Sequence, residues 1–93
     1  MPVMDKNESK RAKSKRIKIL DKKLGREKAW GQAWQSDFLI EIDPRQRSKK
    51  YLNTLIHELL HCLYPESSER KVSRGADFLT KYIWDKDYRR IYK

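Results

Sequence analysis

The 93-residue sequence has few of the residues that would build a cross-linked or membrane-spanning protein. Its single cysteine, Cys62, excludes an intramolecular disulfide and a four-cysteine zinc ribbon. It also has no secretory signal core and no run of 18 apolar residues, so we expect neither export nor a membrane span. These absences favour a protein of the reducing cytoplasm.

The chain is long enough for one small domain, because 38% of its residues are hydrophobic and ten are aromatic. Residues 1–14 are polar and charged without periodicity, which predicts a flexible basic arm before a single domain over residues 15–93. The net charge of +10 is concentrated near the N-terminus and predicts weak, non-specific binding to nucleic acid. A solvated tail is the alternative, because no aromatic residue interrupts the cluster. The candidate contacts are Lys10, Arg11, Lys13, Lys15, Arg16 and Lys18.

The first half of the domain has the pattern of short strands. Residues 16–20 alternate basic and apolar side chains, and residues 29–34 suggest a less regular extended segment. Between Phe38 and Ile42, alternate side chains are predicted to face the core, and Asp43 and Pro44 end that strand. We therefore predict an antiparallel sheet of two to three strands.

The second half changes to a helical period. An apolar stripe predicts a helix from about Ser48 to Tyr64, where Pro65 stops it; its members are Leu52, Leu55, Ile56, Leu59 and Leu63. Ser67 or Ser68 can cap a second helix, in which Gly75 suggests close packing against the first. The predicted fold class is α+β, a small sheet followed by two packed helices.

Both histidines of the chain fall in the phrase His57-Glu58-Leu59-Leu60-His61. On a helix, residues four apart lie on one face, so both imidazoles can reach one metal ion, for which zinc is the best candidate. The neighbouring residues are uncharged, as expected for a buried helix. Cys62 fits a small core residue better than a nucleophile.

A catalytic zinc site usually has three protein ligands, and the histidines supply two. A carboxylate downstream is the expected third, with Glu66, Glu69 and Asp77 as candidates. At about 100° per residue, Glu69 lies nearest the apolar stripe of the second helix, Asp77 points largely outward and Glu66 precedes the helix. We therefore rank Glu69 first, Glu66 second and Asp77 third. Glu69 could instead only complement the helix dipole.

These parts together resemble the zincin metallopeptidases, particularly small phage and bacterial proteins with a SprT-like or ImmA-like core. The resemblance spans about residues 17–91 and implies a zinc metallopeptidase acting on a protein or peptide, in the host cytoplasm if the protein is phage-encoded. It implies that Glu58 is the general base beside a zinc ion bound by His57 and His61, with Glu69 as the third ligand that helical geometry ranks first. It also suggests that residues 38–42 pair with an extended peptide, and that Tyr64, Tyr82 or Tyr88 stabilises the oxyanion.

The chain departs from the metzincin pattern, because Tyr64 and Ser67 replace its glycine and third histidine. Two other functions stay open. The first is a nucleic-acid-binding protein that uses its basic N-terminal segment, with structural zinc or none. The second is an inactive zincin-like interaction module.

Overall fold

The computed structural model describes residues 16–25 and 30–91, which form three short strands followed by two helices. The strands are β1 (Lys18–Asp21), β2 (Gly31–Trp34) and β3 (Leu39–Ile42), and the helices are α1 (Ser48–Leu63) and α2 (Glu69–Asp85). The predicted α+β class is confirmed. The basic arm predicted at residues 1–14 lies outside the described residues.

The three strands form a mixed sheet in the order β1-β3-β2. β2 runs antiparallel to β3, as predicted, whereas β1 runs parallel to it. Because β2 and β3 form a hairpin, β1 occupies the remaining edge of β3. The prediction that residues 38–42 offer a free edge to a peptide is therefore wrong, since β3 is paired on both sides. Within the described part of the chain, the strand edge left open beside α1 belongs to β2.

The turn between β2 and β3 decides which side chains reach the core. A 3-10 helix at Gln35–Asp37 leads into Phe38, whose φ of 51° is left-handed, so Phe38 belongs to the turn and not to the strand. Ile40 and Ile42 are completely buried on one face of β3, as their alternation predicts. Cys62 joins them in the core, and burial raises the pKa of its thiol.

Asp43, which directly follows β3, is buried and hydrogen-bonds to two other segments of the chain. Its carboxylate accepts hydrogen bonds from the Leu24 amide at 3.0 Å and from Arg45 Nε at 2.8 Å. The Arg45 guanidinium holds the pKa of this carboxyl well below its usual range. Asp43 therefore ties the segment after β1 to the loop that enters α1.

The two helices form an antiparallel pair around a short loop. α1 ends at Leu63, two residues before Pro65, and α2 begins after Ser68, whose hydroxyl accepts a hydrogen bond from the Lys71 amide at 3.2 Å. A Cβ atom at Gly75 would lie 3.2 Å from Leu60 Cδ1, so the predicted close packing at this glycine is confirmed. No helix among the described residues is both long and apolar enough to cross a bilayer.

Candidate metal centre

The two histidines lie on one face of α1 and point their ring nitrogens at the same place. Nε2 of His57 and Nε2 of His61 are 3.1 Å apart, and the rings meet edge to face with centroids separated by 4.8 Å. This arrangement follows from their spacing of four residues on a continuous helix. Both side chains are partly buried, so they are held in place while one edge remains accessible.

Glu69, the first residue of α2, brings a carboxylate to the two imidazoles. Its Oε1 lies 2.8 Å from His57 Nε2, and its Oε2 lies 3.1 Å from His61 Nε2. Partial desolvation raises the pKa of Glu69, but the hydrogen bond and charge of His57, aided by His61, outweigh it and lower that pKa overall. Glu69, which helical geometry ranked first as the third ligand, is thus the carboxylate that lies beside the two histidines. Glu69 is also in the first turn of α2, where it complements the helix dipole.

The spacing of these donor atoms can be compared with what a zinc ion requires. Zinc bonds of about 2.0–2.2 Å at tetrahedral angles place two ligand atoms about 3.3 Å apart. The observed separations between the imidazole nitrogens and the Glu69 oxygens run from 2.8 to 3.4 Å. A set of two imidazoles and one carboxylate is also a ligand set known for catalytic zinc. The three residues therefore fit zinc without a change of fold.

Glu58 lines the same cleft but does not belong to the donor cluster. The cleft has a volume of about 400 Å³, and its walls include Trp30, Gly31, Asn53 and Thr54 as well as the three donors. Glu58 is only 8% exposed, and burial raises the pKa of its carboxyl although His57 and His61 lower it. Desolvation therefore makes Glu58 a stronger base than an exposed glutamate.

β2 passes directly over this cleft at Gly31. A Cβ atom there would lie 3.3 Å from Glu58 Cγ and 2.5 Å from Thr54 Cγ2, so only glycine allows this approach. The Asp43 amide donates a hydrogen bond to the Trp30 carbonyl at 2.8 Å. Since alternate residues of β2 bond to β3, this bond fixes which residues of β2 face β3 with their backbone groups and which do not. Gly31 and Ala33 consequently turn their backbone groups away from β3, towards the open edge.

Two ranked alternatives for the third donor stay apart from the cluster. Glu66 lies exposed in the loop between the helices, and Asp77 accepts a hydrogen bond from Asn53 Nδ2 at 3.0 Å. Neither belongs to the metal-compatible group formed by His57, His61 and Glu69.

The tyrosines suggested for the oxyanion are not in the cleft either. Tyr64 lines a groove between the helices, Tyr88 lines a pocket near the N-terminus of α1, and Tyr82 is exposed on α2. None of the three is among the residues that line the cleft.

The structure adds supporting residues that the sequence reading missed. Gln35 Nε2 donates to the His61 carbonyl at 2.8 Å, and Gln46 accepts from Thr54 Oγ1 at 2.7 Å while donating to the Trp30 carbonyl at 3.2 Å. Helical spacing could have indicated Thr54, which lies three residues before His57. Gln35, Gln46 and Trp30 reach the site from loops, and no periodic pattern marks them.

The candidate nucleic-acid contacts are described only in part. Arg16 and Lys18 are exposed at the start of β1. Lys10, Arg11, Lys13 and Lys15 lie outside the described residues, so nucleic-acid binding by this segment stays a prediction.

Comparison of the chain with protein-family models, with curated proteins and with solved structures gives no match.

Proposed function

We propose that this protein is a zinc-dependent metallopeptidase of the zincin type. The observation that carries the proposal is the meeting of His57, His61 and Glu69 at one point, with the buried Glu58 in the same cleft. Two imidazoles, one carboxylate and an adjacent general base are the groups that such hydrolysis requires.

Each residue has a separate part in the proposed reaction. His57, His61 and Glu69 would hold the zinc ion through Nε2 and carboxylate oxygen atoms. Bound zinc supplies Lewis-acid chemistry, which acidifies water and polarises a peptide carbonyl. The Glu58 carboxylate takes the proton that the attacking water loses and passes it to the leaving amine nitrogen. Its raised pKa makes the carboxylate a better acceptor of that proton than an exposed glutamate.

The open edge of β2 supports an extended peptide as the substrate. Ala33 is partly exposed at that edge, and Gly31, two residues before it, forms part of the wall of the cleft, so a peptide that pairs with Ala33 can run past the zinc ligands. Main-chain pairing of this kind gives affinity without a strong demand on sequence. We also propose a cytoplasmic location, that of the host if the protein is phage-encoded, since the lone buried Cys62 needs no oxidising compartment.

The test is a comparison of Glu58→Gln with wild type, both purified without a metal-affinity tag. We expect one zinc per chain in each, and a loss of about 100- to 10,000-fold in cleavage of unfolded casein by the variant. Glu66→Gln removes a carboxylate of the same type from the exposed loop and should cleave like wild type.

Two results would contradict the proposal. Casein cleavage retained by Glu58→Gln would exclude Glu58 as the base. Substoichiometric zinc in a folded wild-type chain would instead indicate an inactive interaction module.

A further inference from the structure

One side of α2 exposes aromatic and basic side chains together. Lys71, Arg74, Phe78 and Lys81 follow each other at spacings of three and four residues, and Tyr82 lies four residues after Phe78, so the five share one side of the helix, here called the α2 outer face. Phe78 is 63% exposed and Tyr82 is 54% exposed, and their ring centroids are 4.9 Å apart. Two adjacent exposed rings form a larger apolar area than scattered surface residues do, and such patches mark interaction sites.

A groove between α1 and α2 borders this face. Its volume is about 320 Å³, and its lining is mostly carbon, from Leu60, Tyr64, Val72 and Gly75. Gly75 lines the groove and lies one turn before Phe78 on the helix, with Leu60 packed directly against it. The groove is therefore continuous with the α2 outer face and has room for a large apolar side chain.

Charge determines which partner suits this surface. Lys71 lines the groove, and Arg74 and Lys81 follow it along the helix. The surface is therefore predominantly basic, although Asp85 at the end of α2 is acidic. A second copy of the chain carries a net charge of +10, and residues 1–15 are also basic, so both would be repelled. An acidic partner is attracted to the same surface.

The carbon lining of the groove favours a protein over other polyanions. A phosphate backbone would pair with the three cations but would leave the groove without an apolar occupant. We propose that the α2 outer face and its groove bind an acidic segment of a partner protein, with one large apolar side chain seated in the groove against Leu60 and Tyr64. This inference concerns binding and does not depend on the proposed peptidase activity.

The test is selection from a displayed library of random 12-residue peptides on the full-length Glu58→Gln protein, which prevents the proposed cleavage of the bound peptides. We expect enrichment of peptides in which Phe, Trp or Leu is flanked by Asp or Glu. Fluorescence anisotropy on an enriched peptide should show at least a tenfold weaker Kd for Phe78→Ser/Tyr82→Ser, because truncation of a central aromatic anchor commonly costs that much. Both side chains are exposed, so this variant should fold.

A charge reversal provides the matched control. Lys71→Glu/Arg74→Glu should lose the enriched peptide and gain affinity for a version in which every acid is replaced by lysine. Lys49→Glu makes the same charge change on an exposed residue in the first turn of α1, eleven residues before Leu60, and should bind like wild type. Circular dichroism should give helical spectra and melting curves close to those of wild type for all variants.

Three outcomes would overturn the proposal. The first is enrichment of peptides with no acidic and apolar pattern. The second is equal peptide binding by the Phe78→Ser/Tyr82→Ser variant. The third is absence of peptide enrichment while a 20-residue oligothymidylate, or vesicles of phosphatidylserine and phosphatidylcholine, bind through the same residues.

Discussion

Gly31 and Thr54 are packed so closely that a methyl group added to Gly31 would lie 2.5 Å from Thr54 Cγ2. Thr54 cannot rotate away without cost, because its hydroxyl donates to Gln46 at 2.7 Å. This contact brings the β2 edge to the helix that carries the histidines. Position 31 therefore requires glycine because the cleft leaves no room for a side chain, and not because of its backbone conformation.

Gly31→Ala should reduce the free energy of unfolding by about 1–3 kcal/mol, the usual cost of overpacking, and should also impair peptide cleavage. Urea denaturation measures the first effect. Gly25→Ala is the control, since nothing lies within 4 Å of a Cβ atom at that position. Thr54→Ser deletes the clashing methyl and keeps the hydroxyl, so Gly31→Ala/Thr54→Ser should recover most of the lost stability. Failure of that rescue would show that the clash is not the cause.

The proposed third zinc ligand can be tested with three carboxyl-to-amide substitutions. Glu69→Gln should weaken zinc binding by at least about 100-fold, since even partners that only support a ligand cost 10- to 100-fold. Glu66→Gln and Asp77→Asn should bind zinc as wild type does, because those carboxylates lie outside the cluster. Competition with a chromophoric chelator measures the affinities. A larger loss in either control than in Glu69→Gln would exclude Glu69 as the ligand.

The spacing of apolar residues and the angles around a helix predicted those features of the structure that are determined within a single helix. The bounds of α1 follow from its apolar spacing and from Pro65, and helical angles alone selected Glu69 over Asp77. The mixed sheet could not be predicted in the same way, because the parallel pairing of β1 with β3 depends on the hairpin that β2 and β3 form. Gln35 reaches the His61 carbonyl only through the turn at Phe38, a contact that joins residues 26 positions apart.

The start of α2 supplies a prediction about how Glu69 is positioned. Ser68→Ala removes the side-chain cap on the Lys71 amide and should lower the free energy of unfolding by about 1 kcal/mol. Because Ser68 precedes Glu69 directly, fraying of this turn should also weaken zinc binding, by less than Glu69→Gln does. Ser67→Ala should change stability by no more than about 0.5 kcal/mol, since Ser67 does not cap the helix. Thermal melts with and without zinc separate the two effects, and equal losses for both serines would contradict this account.

Tyr51 should make the fold sensitive to alkaline pH. Burial, with a further contribution from its hydrogen bond to Asp21, raises the pKa of the Tyr51 phenol to about 12. An unfolded chain has an ordinary tyrosine pKa of about 10, so it loses the proton first as the pH rises. The stabilisation from this phenol is therefore complete below about pH 10 and is lost as the pH approaches about 12.

Tyr51→Phe isolates this effect. The difference in unfolding free energy between wild type and Tyr51→Phe should be constant from pH 7 to about pH 10 and should shrink towards pH 12. Urea denaturation at a series of pH values measures the difference, and the titration of groups common to both proteins cancels from it. Tyr88→Phe removes the same hydroxyl from a side chain that is 70% exposed and should follow wild type throughout. A difference for Tyr51→Phe that does not vary with pH would show that its phenol ionises equally in both states.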